Sequence, residues 1–257
     1  MKLTVATWNV NSIRARIKNI ETFLKKNEID VLCMQETKVE DALFPKDIFK
    51  DMNYNVAFFG QKRFNGVATI AKLPFKKIET NIVGNEKNQK RTILTKIDNI
   101  TIINSYFPNG QSPDSENFQY KLDFIKGFRE YLDDNFDTNK DNLIIVGDFN
   151  VAKDEIDVYD TEAMEGKIGF HKDERKALQY LYEWGFIDAF RMFKKDKAFS
   201  WWDYRALSFR RNIGLRIDYI WISKALKDKC VKCYIDRDER KKEKPSDHAP
   251  VVATFEL

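Results

Sequence analysis

The sequence is poor in the residues that build zinc sites and disulfide frameworks. It has two histidines and three cysteines in 257 residues. A zinc site made of two or three histidines is therefore nearly excluded. Cys230 and Cys233 form a single CxxC pair with no second pair and no neighbouring histidine, so we expect neither a metal nor a redox role for them. The odd number of cysteines is typical of a reducing compartment.

Long apolar runs are also missing, and glycine and proline are scarce. With 10 glycines and 6 prolines, the chain has little material for long flexible linkers. No segment approaches the roughly 18 apolar residues of a membrane span, and the N-terminus lacks the apolar region of a signal peptide. We therefore expect a soluble intracellular protein of the cytoplasm, without a membrane partner.

What the sequence does contain is enough apolar material for a large core. Hydrophobic residues make up 43% and aromatic residues 14% of the chain, which excludes a disordered protein. The length permits one large domain or two fused halves. The net charge of +4 is mildly basic, which is compatible with a polyanionic partner but does not require one.

Apolar, β-branched segments recur along the chain, and some are separated by amphipathic segments. Predicted strands are Leu3–Val10, Val31–Gln35, Asn55–Phe59, Val67–Ala71, Ile93–Ile97, Ile100–Tyr106, Leu143–Gly147, Ile217–Ile222 and Pro250–Phe255. Predicted helices are Ala15–Asn27, Ser115–Asn135 and Asp173–Trp184. Hairpins such as the one at Asp98-Asn99, together with helical crossovers, predict mixed sheets in an α/β protein. The charged run Asp236–Lys244 is interpreted as a solvated loop.

Six clusters of polar residues lie where apolar segments end or begin. They are Trp8–Asn11, Gln35–Thr37, Tyr106–Asn109, Gly147–Asn150, Arg216–Tyr219 and Ser246–Pro250. Any one of them is more simply a turn or a helix cap. As a set they would supply four carboxylates, several amides and one imidazole, and in mixed sheets they could converge on one edge. Oxygen-rich sites of this kind suit hard cations such as magnesium.

The two histidines differ in their surroundings. His171 precedes an acidic helix start and is interpreted as a surface residue. His248 lies between Asp247 and Pro250 at the start of a strand, and a catalytic and a structural role remain open on the residues alone.

The polar clusters resemble the motifs of a known enzyme family. The segments WNVN, LCMQETK, SYFPNG, IVGDFNVA, GLRIDYIWIS and KPSDHAPV are similar, in the same order from residue 4 to residue 255, to those of the exonuclease III family of apurinic/apyrimidinic (AP) endonucleases. GQKRFNGVA and FSWWDYR also match. QETK, GDFN and SDHAPV are shared across the wider endonuclease, exonuclease and phosphatase superfamily, whereas SYFPNG and the FSWWDYR block are more specific to the repair branch.

The resemblance implies a fold and an activity. The implied fold is a four-layer α/β sandwich, with two packed mixed β-sheets flanked by helices, and residues 1–257 would form a single catalytic domain. The implied activity is magnesium-dependent hydrolysis of the DNA backbone 5′ to an abasic site, with manganese as the alternative ion. 3′–5′ exonuclease and 3′-phosphatase activities would accompany it. The partner would be double-stranded DNA with abasic sites or blocked 3′ ends, bound by a monomer associated with the nucleoid.

The resemblance also implies roles for individual residues. The implied catalytic residues are Tyr106, Asp148, Asn150, Asp218 and His248. The implied metal-binding residues are Asn9, Glu36, Asp148, Asn150 and Asp247. The implied substrate-binding residues are Asn109, Arg205, Arg210, Trp201, Trp202 and Leu215. Glu36 would be the principal metal ligand, Asp148 would activate water, and Asp218 would hold His248 against the scissile phosphate. Asn11 and Leu215 depart from relatives that carry Asp and Trp there.

Basic residues flank several of these motifs and are predicted to contact DNA phosphates. They are Arg14 and Arg16, the group Arg205, Arg210, Arg211 and Arg216, and the lysines Lys241, Lys242 and Lys244. Three alternatives remain open: a hydrolase of inositol phosphates or phospholipids, a DNA-binding relative without catalysis, and a nuclease without preference for damage. The second would be expected to have lost members of the constellation, and none is obviously missing from the sequence.

Overall fold

The protein consists of strands and helices that alternate along the chain. The computed structural model describes residues 1–84 and 87–257, in which there are twelve strands and seven α-helices. The strands are β1 Lys2–Asn9, β2 Val31–Gln35, β3 Asn55–Phe59, β4 Val67–Ala71, β5 Lys77–Thr80, β6 Thr92–Ile97, β7 Ile100–Tyr106, β8 Asn142–Asp148, β9 Ile187–Asp188, β10 Asp218–Ile222, β11 Cys230–Ile235 and β12 Val251–Glu256. The helices are α1 Ile13–Asn27, α2 Lys46–Asp51, α3 Glu116–Asn135, α4 Thr161–Met164, α5 Lys172–Tyr182, α6 Ala189–Phe193 and α7 Ser208–Arg211.

The described strands form two six-stranded mixed sheets. Sheet A has the order β11-β12-β1-β2-β4-β3, and sheet B has the order β5-β6-β7-β8-β10-β9. The pairs β1–β2 and β7–β8 are parallel, and the other pairs are antiparallel. Helix α1 packs on the outer face of sheet A, and α3 and α5 pack on the outer face of sheet B. The predicted four-layer α/β sandwich is therefore confirmed.

Continuous apolar segments form the central strands because both faces of each sheet are covered. In β2, Val31 and Cys33 face the core between the sheets, while Leu32 and Met34 face α1. Side chains alternate between the two faces of a strand, so a strand buried on both faces needs apolar residues at every position. No helix among the described residues is long and apolar enough to cross a membrane.

All nine predicted strands are present, with ends shifted by at most one residue, and the Asp98-Asn99 hairpin is confirmed by the pairing of β6 with β7. The three strands that the sequence did not predict, β5, β9 and β11, lie at edges of the sheets. Edge strands are short and partly solvated, so they lack a continuous apolar pattern.

Cys230 and Cys233 lie in β11, where both thiols are buried and free.

The interpretation of Asp236–Lys244 as a solvated loop was wrong in part. Arg237–Lys241 forms a 3₁₀ turn that buries Glu239 and Arg240. The guanidinium of Arg240 donates hydrogen bonds to the carbonyls of Ser246 and Trp202. This turn therefore supports the main chain that leads into the predicted Asp247-His248 motif.

The strand directions bring the six polar clusters to one edge of the sandwich. β1, β2, β7 and β8 end at this edge, and the antiparallel strands β10 and β12 begin there. Gly147 allows β8 to pass close to β7, because a Cβ atom at this position would lie 1.8 Å from the carbonyl oxygen of Ser105. Asp148 follows Gly147 directly, so the close approach of β8 to β7 fixes the position of Asp148 at this edge.

Candidate active site at the sandwich edge

Three side chains from different parts of the chain meet at the centre of this edge. Glu36, Asp148 and His248 each place a potential ligand atom within 4.8 Å of the others. Asn9 links the two carboxylates, because its Nδ2 donates to Glu36 Oε1 at 2.8 Å and to Asp148 Oδ2 at 2.9 Å. The predicted convergence of the clusters is therefore present in the structure.

Three residues of these clusters adopt the left-handed backbone conformation, which is rare for Glu and more readily tolerated by Asn. Asn11, Glu36 and Asn150 have φ values of 43°, 49° and 53°. Non-glycine residues adopt left-handed conformations at a cost that the surrounding structure must offset, and such residues cluster at functional sites. The tight turns after β1, β2 and β8 are what point these polar side chains towards one another.

His248 is held by a carboxylate from the opposite sheet. Its Nδ1 lies 2.9 Å from Asp218 Oδ2, and the hydroxyl of Ser200 donates to the same oxygen at 2.6 Å. Burial opposes the charged imidazolium, but the carboxylates of Asp218 and Asp148 outweigh it and raise the pKa of His248 from 6.5 to about 10. The imidazolium is therefore the form present at neutral pH, and it has Nε2–H free to donate.

Asp148 is almost fully buried beside His248. Burial raises its pKa from 3.8 to about 7, the charges of Asp218 and Glu36 add to this, and His248 and Asn9 oppose it. Its Oδ1 accepts from the main-chain N–H of Asn150 at 2.9 Å. A carboxyl group with a pKa near neutrality can accept a proton from a nearby water.

Asn150 and Asn109 form a pair of amides on the sheet B side. Asn109 Nδ2 donates to Asn150 Oδ1 at 3.1 Å, and Asn150 Nδ2 donates to the carbonyl of Phe107 at 3.0 Å. Asn109 is exposed, whereas Asn150 is buried. The pair therefore presents amide groups at the mouth of the site while the main chain behind them is fixed.

Tyr106 stands between the two sheets near Glu36. Burial, followed by the charges of Glu36 and Asp148, raises the pKa of its hydroxyl well above the usual value. The hydroxyl is therefore neutral, and a hydrogen bond to Glu36 contributes to its raised pKa. The guanidinium of Arg91 lies 4.8 Å from the centre of the Tyr106 ring and donates to the Tyr106 carbonyl.

Asp247 lies on the other side of the cluster. Its Oδ1 accepts from Asn11 Nδ2 at 2.9 Å and its Oδ2 accepts from Trp201 Nε1 at 3.0 Å. These bonds and the charge of His248 overcome the effect of burial and lower the pKa of Asp247. Asp247 is therefore a permanently ionised group at this edge.

A cavity of about 270 Å³ opens beside these groups. Glu36, Asp148 and His248 lie on one side of it, and Trp201, Leu215 and Ile217 supply an apolar wall. Trp201 forms short bridges with both Leu215 and His248, so the wall and the imidazole are linked through the main chain. Of the predicted substrate-binding residues, Asn109, Trp201 and Leu215 line this cavity.

Trp202 does not contribute to that wall, so only one of the two candidate tryptophans lines the cavity. It is fully buried and packs against Phe199, Phe209 and Ala249. Adjacent residues of an extended segment point to opposite sides, so the pair Trp201-Trp202 places one indole at the cavity and the other in the core.

The predicted basic residues also divide into two groups. Arg205 and Arg210 are exposed, and Arg205 pairs with the carboxylate of Asp203. Arg216 is buried between Asp157 and Asp188, with nitrogen–oxygen distances of 2.7 Å to each. Its charge is used inside the protein, so the expectation that Arg216 contacts DNA was wrong.

Sequence reasoning assigned no role to three residues that contact the site. Lys38 pairs with Glu36 Oε2 at 2.7 Å and donates to Asn11 Oδ1. The other two are Arg91 and Ser200, described above. Lys38 belongs to the recognised LCMQETK motif and Ser200 to the FSWWDYR block, so their positions carried a signal, whereas no pattern in the sequence marks Arg91.

The donor set fits a metal ion bound by oxygen atoms. The Glu36 carboxylate accepts from the Asn9 amide and pairs with the ammonium of Lys38, and Asp148 accepts from the same Asn9 amide, so a cation could take the place of these donors. The imidazolium of His248 is engaged by Asp218 and is a donor, so it does not suit a ligand role. This cluster of acidic groups can hold a metal ion, and Glu36 is a more accessible carboxylate than Asp148.

The fold and the site together define a hydrolase of the α/β-sandwich type, with an acidic cluster and a carboxylate-held imidazolium at one edge. Comparison with known proteins agrees with this class. Residues 6–248 match the Endonuclease/Exonuclease/phosphatase family. The chain is 37% identical to exodeoxyribonuclease III of Haemophilus influenzae, over 97% of this chain and 98% of that protein.

Solved structures give the same result. An AP endonuclease from Archaeoglobus fulgidus has a TM-score of 0.95 and 39% identity, covering 99% of this chain and 100% of that one. A 3′ phosphatase from Neisseria, bound to product DNA hairpin, has a TM-score of 0.95 and 32% identity over the same shares. The chain belongs to the exonuclease III/AP endonuclease family of this superfamily, a family of DNA-repair nucleases.

Proposed function

We propose that this chain hydrolyses the phosphodiester backbone of double-stranded DNA on the 5′ side of an abasic nucleotide, with Mg²⁺ as the metal ion and Mn²⁺ as the alternative. Residues 1–257 would act as one catalytic domain and as a monomer. The observation that carries the proposal is a small cavity of about 270 Å³ that has Glu36, Asp148 and His248 in its lining and an apolar wall formed by Trp201, Leu215 and Ile217.

The size and lining of this cavity favour a sugar without its base. Pockets for drug-sized ligands measure roughly 300–1,000 Å³, and at about 270 Å³ this cavity lies at the small end of that scale, which suits a sugar. An abasic nucleotide leaves the base stack at little cost, because it has no base to unstack. Trp201 and Leu215 would pack on the sugar while its phosphate reaches His248, which separates this reading from a nuclease without preference for damage.

The chain's own residues supply most of the required chemistry. His248 Nε2–H would donate to an oxygen of the scissile phosphate, while Asp218 holds the ring. Asp148 would accept a proton from the attacking water, and Asn150 and Asn109 would hold the phosphate. Tyr106 would donate from its hydroxyl to the same phosphate. A divalent ion held by Glu36, with Asp148, Asp247 and the amides Asn9 and Asn150 as the other predicted ligands, would neutralise charge that develops on the leaving or non-bridging oxygen.

The relatives support further activities at the same site. One is an exodeoxyribonuclease and another is a 3′ phosphatase. A 3′ phosphate or a terminal nucleotide presents the same kind of phosphoester to the site, so we include 3′–5′ exonuclease and 3′-phosphatase activities in the proposal.

A substrate panel tests the proposed function. Duplexes with one tetrahydrofuran abasic analogue, with intact bases, or with a 3′ phosphate would be incubated with Mg²⁺ and with chelator, beside an inositol phosphate. We expect ion-dependent cleavage 5′ to the analogue and no inositol phosphate hydrolysis. Equal cleavage of abasic and intact duplexes, or hydrolysis of the inositol phosphate alone, would contradict the proposal.

A further inference from the structure

A buried lysine behind the site is not explained by the groups described so far. Lys121 of α3 has no exposed surface, and Phe118, Ile125 and Phe128 share its face of the helix. Its ammonium donates to the main-chain carbonyls of Asn150 at 2.8 Å and Asn109 at 3.1 Å. An ammonium has three hydrogens, and two of them are thus used on the carbonyls of the two site amides.

The third hydrogen is donated to Glu174 of α5, which is equally buried. The second carboxylate oxygen of Glu174 accepts from the main-chain N–H groups of Gly169 at 2.8 Å and His171 at 3.0 Å. Gly169 lines the cavity. The Lys121–Glu174 pair therefore ties together three loops that border the site: the one after β7, the one after β8 and the one before α5.

This arrangement is more specific than core packing requires. A buried ion pair can often be replaced by apolar side chains of similar volume without loss of stability. The apolar stripe of α3 would accept such a residue at position 121. The main-chain turn at Asn150 is in a left-handed conformation, with φ of 53°, and needs contacts that hold it there.

We propose that Lys121 is a positioning residue that holds Asn109 and Asn150 in place through their carbonyls, so that both amides meet the phosphate together. This inference rests on the proposed function for the reaction it serves. Lys121 has no exposed surface, so its effect passes through the two asparagines. Displacement of positioned groups by about 1 Å can lower a rate about 100-fold, and a loss of that order in kcat is expected.

The first test removes both charges so that neither is left buried alone. Lys121→Met/Glu174→Gln is compared with Lys126→Met, a matched control on the same helix whose side chain is 69% exposed. On the abasic duplex, the double variant should lose about 100-fold in kcat with Kd for DNA changed less than fivefold. The control should match the wild type. Unchanged kcat in the folded double variant would overturn the proposal.

A second comparison separates positioning from general support of the fold. In an Asn109→Ala/Asn150→Ala background the Lys121→Met/Glu174→Gln change should cost little more, because both amides that Lys121 positions are already absent. A full additional 100-fold loss would show that Lys121 acts elsewhere. Should Lys121→Met/Glu174→Gln not fold, Lys121→Met/Glu174→Met provides the same comparison with two apolar residues.

Hydrogen exchange gives a measurement that does not depend on activity. Amides in residues 107–111 and 149–153 should exchange faster in the double variant than in Lys126→Met. Unchanged exchange there would contradict the role of Lys121. If the wild type does not cleave the abasic duplex, the proposed function is refuted. The exchange measurement still tests the role of Lys121, because it does not use activity.

Discussion

Asp218 Oδ2 and His248 Nδ1 lie 2.9 Å apart and join the two sheets at the edge where the site is built. Asp218 begins β10 of sheet B, and His248 precedes β12 of sheet A. The contact fixes the imidazole so that its Nε2 points towards Asp148, at 3.7 Å from Oδ2. The geometry of the imidazolium thus depends on how the two sheets stack.

Substitution of either His248 or Asp218 should abolish the same contribution to catalysis, which is the hydrogen bond from a correctly held imidazolium to the phosphate. We expect His248→Ala and Asp218→Ala each to lower kcat by about 10²–10⁴-fold. The double variant should be no worse than the more damaging single variant, because the two residues act as a unit. Single-turnover rates on the abasic duplex measure this. Additive losses would show that Asp218 and His248 act independently.

The buried and exposed arginines near the site should respond differently to substitution. Arg216→Met leaves the Asp188 carboxylate without its ion-pair partner and leaves Asp157 paired with Arg191 alone, and breaking a buried ion pair costs about 3–5 kcal/mol. Urea unfolding measures that loss. Arg210→Ala should leave the unfolding midpoint unchanged and reduce the slope of log Kd for DNA against log salt by about 1. If Arg216→Met instead reduced the salt slope without loss of stability, and Arg210→Ala destabilised the protein, Arg216 would be the residue that contacts DNA.

Gly147 should not tolerate a side chain. A Cβ atom there would lie 1.8 Å from the Ser105 carbonyl oxygen, so Gly147→Ala must push β8 away from β7. We expect a loss of about 1–3 kcal/mol or more in stability and a fall in kcat, because Asp148 follows directly. Gly127→Ala in α3 is the control, since its Cβ would meet Val83 at an ordinary 3.6 Å. That substitution should stabilise the helix by about 0.5–1 kcal/mol.

The three thiols should be unreactive in the native protein. Burial raises the pKa of Cys33 to about 12 and that of Cys230 to about 11, and it raises the pKa of Cys233 well above the usual value. Only the thiolate reacts with a disulfide reagent, and a raised pKa keeps these groups protonated at mildly alkaline pH. Ellman's reagent should therefore label the native protein slowly and label all three cysteines in guanidinium. Rapid labelling of the native Cys230–Cys233 pair would reopen a redox role for it.

Much of the fold could be predicted because its central strands are buried on both faces. Val31–Gln35 and Val67–Ala71 are apolar at nearly every position and were located to the residue. Edge strands such as β5 carry exposed polar residues, so their pairing depends on a neighbour distant in sequence. Nothing local in Lys77–Thr80 specifies that neighbour.

The candidate site also contains residues that could be predicted from the sequence and residues that could not. Asp148 and His248 stand in recognisable motifs at the ends of strands, and the structure brings them together. The partners of Arg216 come from distant segments, so its burial could not be read from its basic neighbours. Lys121 left one signal: it interrupts the helical stripe of apolar residues on α3 at a position that should be buried.

We expect Glu36 to bind a divalent ion at the point where its carboxylate meets that of Asp148. Anomalous diffraction from crystals grown with Mn²⁺ tests it most directly. We expect a single strong peak at this edge, about 2.1 Å from a carboxylate oxygen of Glu36, and no such peak in Glu36→Gln crystals. A manganese peak remote from Glu36, or one that persists unchanged in the variant, would contradict it.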